Sequence, residues 1–155
     1  NLLFAVAYNG EMVCFDRASG AKIWNRNVSS YHGLASDLVN IILSHENDSI
    51  YSFDKNTGKT VWKNSDLLHR KLSAPLIYDN FILTVDYLGV LHVLDLDEGV
   101  RQAIFQFEKS FEGLVDFGDS SSIRDTINTS KLYKHKDFAY IILNHSKIIK
   151  ISINE

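Results

Sequence analysis

The sequence predicts an all-β fold made of small antiparallel sheets that repeat along the chain. One observation is a recurring pattern of an Asp, a Gly four residues later and an apolar residue four further on. Its three copies are Asp16, Gly20 and Trp24; Asp54, Gly58 and Trp62; and Asp95, Gly99 and Ala103. A second observation is that short strand-like runs, joined by Gly, Asn and Asp turns, surround each copy. The copies begin 38 and then 41 residues apart, a period typical of propellers and other repeat architectures.

The first two units each contain three predicted strands. In the first unit, strands at 2–8 and 11–16 flank Asn9-Gly10, the strongest short-range signal of a hairpin because both turn residues need positive φ. A third strand at 21–28 follows the Asp–Gly turn. The second unit repeats this order, with predicted strands at 38–45, 49–54 and 59–63.

The third unit contains four predicted strands, at 74–78, 81–86, 90–95 and 100–107. Pro75 suits the start or edge of a strand but not the interior of a helix. Four strands in about 40 residues are typical of a propeller blade, whereas a sandwich would not require the same turn each time. The last unit shows strands only at 139–143 and 147–153. We therefore predict one partial β-propeller domain over 1–155, with incomplete terminal blades and approximate blade bounds of 1–28, 31–64, 73–108 and 111–155.

The segment 110–136 interrupts the strand pattern. It is rich in turn-forming residues, notably Gly118-Asp119-Ser120 and the serines that follow, so we expect a long excursion there. A single helical turn at 123–127 fits the sequence, and nothing predicts a longer helix.

The residue types of the repeat suit a structural role. An Asp at a strand end accepts hydrogen bonds from turn amides, and Gly adopts the left-handed conformation at little cost. Trp24 and Trp62 are expected to pack flat against the neighbouring blade, where truncation to Ala would cost roughly 3 to 5 kcal/mol. A metal-binding or catalytic role for the Asp residues, or a ligand cage of tryptophans, is the alternative, and recurrence in successive repeats favours the structural role.

Composition excludes several classes of protein. With 16 basic and 19 acidic residues and a formal net charge of −3, the chain lacks the positive stripe that nucleic-acid binding needs. Its apolar runs are far shorter than the ~20 residues of a membrane-spanning helix. Cys14 is the single cysteine, so no intramolecular disulfide or thiol-based zinc cluster is predicted. The six histidines show no short ligand spacing, and we expect no bound metal or cofactor.

Several stretches resemble the tryptophan-motif repeats of pyrroloquinoline-quinone type β-propellers. Within that superfamily, they resemble the lipoprotein propeller subunit of the bacterial outer-membrane β-barrel assembly machinery. They are 4–10 (FAVAYNG), Trp62 with 65–70 (SDLLHR), 73–75 (SAP) and 90–93 (VLHV). The stretch 65–70 is the most specific, since it connects two blades. The resemblance implies the C-terminal half of an eight-bladed ring at the periplasmic face of the outer membrane, with a lipid anchor upstream of Asn1.

The same resemblance implies a non-enzymatic scaffold that binds the periplasmic domains of the central barrel-assembly protein. Candidate partner-binding residues are Arg17, Asp66, Leu67, His69 and Arg70, which combine charge with apolar groups on connections of a rigid scaffold. The alternative is that Leu67 and Leu68 anchor the 65–70 stretch into the core while Asp66 and Arg70 pair with each other. An isolated half ring is also expected to self-associate through its unsealed ends.

The competing class is an enzyme, either a quinone-dependent dehydrogenase or a hydrolase that uses Ser120. Gly118-Asp119-Ser120 resembles the nucleophile block of GDS-type esterases, and Asp66 and His69 have the spacing of their Asp–His pair. The order of these motifs is reversed relative to those enzymes and the helices of their α/β fold are missing. The sequence therefore favours a solvated Ser-rich loop and a protein that catalyses no reaction.

Overall fold

The computed structural model describes residues 2–106, 131–143 and 147–151, and every regular element in these ranges is a β-strand. Fourteen strands form four antiparallel sheets of three or four strands each. The all-β prediction and the number of about four blades are confirmed. The described ranges contain no helix with the length and apolar character that a bilayer crossing requires.

The first two sheets follow each other along the chain. Sheet 1 has the order β1-β2-β3 and sheet 2 the order β4-β5-β6-β7. The strands of sheet 1 are β1 (Leu2–Val6), β2 (Glu11–Asp16) and β3 (Lys22–Asn27). Those of sheet 2 are β4 (Leu34–Ser36), β5 (Asn40–Ser44), β6 (Ile50–Asp54) and β7 (Thr60–Asn64).

The last two sheets have the same up-and-down connectivity. Sheet 3 consists of β8 (Leu76–Tyr78), β9 (Phe81–Val85), β10 (Val90–Asp95) and β11 (Arg101–Gln106). Sheet 4 consists of β12 (Lys131–His135), β13 (Phe138–Leu143) and β14 (Lys147–Ile151). Neighbouring strands within each sheet are consecutive in sequence.

Two strands differ from the sequence-based prediction. The strand β4 was missed because it is three residues long and lies between Gly33 and Asp37, which favour turns; its pairing with β5 makes it a strand. The strand β12 lies inside the segment 110–136, where an excursion was predicted, and it forms because Leu132 packs against the core beside β13. The remainder of that excursion, including Ser120 and the helical turn at 123–127, lies outside the described residues.

Three apolar cores lie between successive sheets. The first joins sheets 1 and 2, the second sheets 2 and 3, and the third sheets 3 and 4. Strand β5 shows how one sheet serves two cores: Ile41 and Leu43 enter the first core and Ile42 the second, because successive side chains point to opposite faces of a sheet. The three central residues of β5 are therefore apolar in succession, and the sheets stack face to face as propeller blades do.

The turns of these up-and-down sheets gather at two opposite ends. The Asp–Gly end contains the turns 16–21, 54–59 and 95–100. The connection end contains the turns 7–10, 45–49 and 86–89, together with the blade-to-blade connections 28–33 and 65–75. Each candidate partner-binding residue lies at one of these two ends.

Candidate protein-binding surface

The Asp residues of the repeat hold the turns at the Asp–Gly end. Asp16 Oδ1 accepts hydrogen bonds from the Ser19 amide and hydroxyl, both at 2.7 Å. Asp54 Oδ1 accepts the hydroxyl and amide of Thr57 at 2.6 and 2.7 Å. Bonds to Ser19, first from its amide, hold the pKa of Asp16 below its ordinary value, and bonds to Thr57, first from its hydroxyl, do the same for Asp54. These carboxylates are therefore occupied by the turns themselves.

Each indole lies across the boundary between two sheets. Trp24 Nε1 donates to the Lys55 carbonyl at 3.2 Å, and Trp62 Nε1 donates to the Leu96 carbonyl at 3.1 Å. The rings cover Gly58 and Gly99, the glycines of the next sheet's turn. The Gly of the repeat therefore has two structural roles. It adopts the positive φ of its own turn, and because it has no side chain the indole of the preceding sheet can pack directly against it.

A second contact across the sheet boundary was missed by sequence reasoning. Two residues after each tryptophan, a polar side chain donates to the carbonyl of the same glycine: Arg26 Nε to Gly58 at 2.6 Å and Asn64 Nδ2 to Gly99 at 2.8 Å. The sequence signal that could have revealed this contact was a side chain with an N–H donor two residues after the Trp in both units. The Trp, the Gly and the polar residue two positions after the Trp thus all contribute to the stacking of neighbouring sheets.

The structure separates the candidate partner-binding residues. Arg17 is exposed at the tip of the β2–β3 turn, at the Asp–Gly end. Asp66, Leu67, His69 and Arg70 lie in the β7–β8 connection, at the connection end. Arg17 therefore does not belong to the same surface as the other four.

The residues 65–71, called the 65–71 loop below, expose some side chains and bury others. Leu67 is fully buried in the second core, so it anchors the loop and cannot itself contact a partner. Leu68, which the alternative interpretation placed in the core beside it, is 40% exposed. Asp66 and His69 are also exposed. The accessible part of the loop therefore combines an acidic, an apolar and an imidazole side chain with the exposed Lys71.

Buried groups of sheet 2 fix the backbone of the loop. Asp48, itself 8% exposed, accepts hydrogen bonds from the amides of Lys71 and Leu72, both at 2.8 Å. The His69 amide donates to the Asn47 carbonyl at 3.3 Å. His69 and Lys71 have φ values of 60° and 51°, a left-handed conformation that non-glycine residues adopt only where the surroundings impose it. The loop is therefore held in one shape rather than left free.

A buried carboxylate of sheet 3 holds the other side of the loop. Asp86 Oδ2 accepts Arg70 Nη1 at 2.9 Å and the His92 Nε2 at 3.1 Å, and its Oδ1 accepts the amides of Leu88 and Val90. Burial raises the pKa of Asp86, but the bonds from His92, Val90 and Arg70 outweigh burial and leave that pKa below its ordinary value. The alternative interpretation paired Arg70 with Asp66, but Arg70 instead bridges the loop to sheet 3.

No metal-binding geometry accompanies these residues. Among the described residues, no group of three or more His, Cys, Asp or Glu side chains could hold a metal ion. The arrangement is that of a rigid exposed loop on a stacked β scaffold, a form suited to recognition of another molecule.

Comparison with known proteins decides the family. A family model described as outer membrane protein assembly factor BamB matches residues 1–64. The outer membrane protein assembly factor BamB of Yersinia pestis is 37% identical over 98 residues, which are 63% of this chain and 25% of that protein. The chain belongs to the BamB family. It spans about a quarter of the length of the curated BamB relatives it matches, and the matches support the predicted C-terminal position in the BamB propeller.

Solved structures share the fold of this BamB-family chain. BamB from Moraxella catarrhalis superimposes with a TM-score of 0.77 at 21% identity, covering 96% of this chain and 39% of that one. A quinohemoprotein alcohol dehydrogenase from Comamonas testosteroni superimposes with a TM-score of 0.55 at 16% identity, over 67% of this chain and 19% of that one. At these identities the superpositions show the β-propeller fold alone.

Proposed function

We propose that this chain is part of a non-enzymatic scaffold subunit that assists assembly of outer-membrane β-barrel proteins, and that its 65–71 loop binds a protein partner. The relatives it matches are named as outer membrane protein assembly factors. The partner proposed is the periplasmic portion of the central barrel-assembly protein, and the location is the periplasmic face of the outer membrane, with a lipid anchor upstream of Asn1.

The observation that carries the proposal is the double attachment of the 65–71 loop. Asp48 of sheet 2 holds its backbone and Asp86 of sheet 3 holds Arg70. A loop fixed in this way presents Leu68 and His69 without losing conformational entropy when a partner arrives, which favours affinity. A loop that only connected two blades would not require two buried carboxylates and two left-handed residues.

Binding of the partner's purified periplasmic domains to the immobilised chain tests the proposal. The double variant Leu68→Ala/His69→Asn removes the exposed leucine and imidazole side chains of the loop. Asn tolerates the left-handed conformation of position 69. We expect it to weaken binding about tenfold or more, as removal of central interface residues does. Arg17→Ala is the matched control, because it removes an exposed charge at the opposite end and should leave binding unchanged.

Arg70→Ala should also weaken binding, but it breaks the bond to Asp86. Its circular dichroism spectrum and thermal unfolding therefore have to match those of the Leu68→Ala/His69→Asn variant before its binding is interpreted. Full binding by a chain whose exposed loop residues have all been replaced would refute the assignment of the surface.

Addition of a partner strand to a sheet edge is a second route of binding within the same function. The outer strands β3, β7 and β11 carry exposed apolar residues at Ile23, Val61 and Ile104, and an extended segment can pair with such an edge. A proline at Val61 would remove one backbone donor from β7 and weaken binding if this route operates.

An enzymatic function is the competing proposal. A quinone or calcium titration that produced heat or a spectral change would favour a dehydrogenase. Ester turnover that disappeared in Ser120→Ala would favour a hydrolase. We expect neither result.

A further inference from the structure

Two exposed tyrosines lie side by side at the connection end. Tyr8 is in the β1–β2 turn and Tyr31 in the connection between sheets 1 and 2, and they are 62% and 61% exposed. Their ring centroids are 4.5 Å apart and their hydroxyl oxygens 3.2 Å apart. Neither ring fills a core, so burial does not explain the pairing.

Tyr8 lines an open cleft of about 440 Å³ between sheets 1 and 2, and Tyr31 packs against Tyr8. His45 and Glu46 of the β5–β6 turn also line this cleft, as do Asn27 and Ser29. The Glu46 amide donates to the Ser29 carbonyl at 3.2 Å, which fixes the position of that residue. The cleft is therefore shaped by backbone contacts between the two sheets.

The charge of the cleft is negative. Glu46 is its one acidic residue, and no Lys or Arg is among the residues that line it. In the described part of the chain, Glu46 takes part in none of the ion pairs. The same carboxylate contributes, after the hydrogen bond to Tyr8, to raising the pKa of Tyr31, which agrees with its position close to the ring pair.

Aromatic faces beside a free carboxylate suit a planar cation. A guanidinium stacks on a tyrosine ring and can form two parallel hydrogen bonds to a carboxylate, whereas a lysine ammonium does not stack. We propose that the cleft between Tyr8, Tyr31 and Glu46 receives an arginine side chain of a partner protein. This inference rests on the proposed function only for the identity of the partner. The cleft and the 65–71 loop share the connection end, and the His69 amide of the loop donates to the carbonyl of Asn47, the residue that follows Glu46.

Titration of the full chain with short blocked peptides tests the site without the partner. The probes are acetyl-Gly-Arg-Gly-amide and the same peptide with citrulline, which keeps the planar shape and lacks the charge. The readout is tyrosine fluorescence or the NMR signals of the cleft residues. We expect the Arg peptide to bind with a Kd on the order of 1 mM and the citrulline peptide to bind about tenfold more weakly.

Two pairs of variants identify the groups responsible. Glu46→Gln should weaken binding of the Arg peptide about tenfold. Asp66→Asn, which neutralises an exposed carboxylate elsewhere at the same end, should leave binding unchanged. Tyr31→Phe keeps the ring and should retain most of the affinity, while Tyr31→Leu keeps apolar area without the π face and should weaken binding roughly threefold. Thermal unfolding of every variant should stay near that of the parent chain, since these side chains are exposed.

Equal binding of the Arg and citrulline peptides, or retention of Arg selectivity in Glu46→Gln, would overturn the inference. Free L-arginine that bound more tightly than the blocked peptide would overturn the assignment to a protein side chain, since it would indicate a small-molecule site. Unchanged partner binding by the 65–71 variants, with Arg selectivity intact, would refute the proposed role of the 65–71 loop and leave the cleft assignment standing.

Discussion

The Trp24 indole covers Gly58 of the next sheet so closely that a Cβ added at position 58 would lie 2.7 Å from ring atoms of Trp24. The same relationship recurs between Trp62 and Gly99. One pattern in the sequence therefore fixes the turn within a sheet and the packing between sheets. Substitutions of the repeat glycines separate these two contributions.

Gly58→Ala should destabilise the chain by about 2 to 4 kcal/mol, because φ at this position is +66° and the added methyl group meets the Trp24 ring. Gly20→Ala is the control: its φ is +72°, but nothing lies within 4 Å of the added carbon. Gly20→Ala should lower the free energy of unfolding only by the cost of placing Ala in the left-handed conformation, about 1 to 2 kcal/mol. Urea unfolding of the two variants makes the comparison, and equal losses would show that the indole does not constrain Gly58.

Asp86→Asn should remove part of the acid sensitivity of the fold. The pKa of Asp86 in the folded chain is depressed below its ordinary value of 3.8, so the ionised carboxylate stabilises the fold above that pH. This stabilisation is lost as the pH falls below 3.8 through the depressed folded-state pKa. Urea unfolding measured between about pH 2.5 and about pH 7 covers the titration of this carboxyl. The free energy of unfolding should vary less with pH in Asp86→Asn than in the parent chain.

At neutral pH the same substitution should cost about 3 kcal/mol or more, because Arg70 and the buried His92 lose a charged partner. Asp79→Asn is a suitable control, since Asp79 is an exposed carboxylate whose partner is the exposed Lys134. A steep pH profile that persisted in Asp86→Asn would assign the acid sensitivity to other carboxylates.

Asp48→Ala should loosen the 65–71 loop without unfolding the sheets. The side chain accepts the amides of Lys71 and Leu72, and loss of a charged acceptor for buried amides costs about 1 to 3 kcal/mol. Hydrogen exchange at these two amides should therefore accelerate roughly tenfold or more, while exchange in strands β5 and β9 stays slow. Asp66→Ala should leave the exchange of both amides unchanged, and equal effects of the two variants would show that Asp48 does not hold the loop.

The parts of the fold that local chemistry determines were predictable from the sequence. The Asp–Gly turns were found because turn residues act within five positions of each other, and the strands beside them follow from short apolar runs bounded by turn residues. The strands β4 and β12 were not found because pairing with a longer neighbour, rather than their own composition, makes them strands. Tertiary context decides such short segments.

The candidate surface was predictable in place but not in detail. The composition of the 65–71 loop singled it out, yet the partner of Arg70 is 16 residues away at Asp86 instead of four residues away at Asp66. Leu67 and Leu68 are adjacent and equally apolar, and the backbone alone decides that one is buried and the other exposed. The contacts of Arg26 and Tyr31 depend on how sheets stack, which a single sequence does not specify.

Hydrogen–deuterium exchange of the chain, with and without the partner's periplasmic domains, tests the central claim that the connection end is the docking surface. The account predicts that the partner slows exchange in 65–71 and in the adjoining turn 45–49, and leaves the Asp–Gly turns 16–21 and 54–59 unchanged. Protection confined to the Asp–Gly end around Arg17, or no protection at saturating partner, would contradict it.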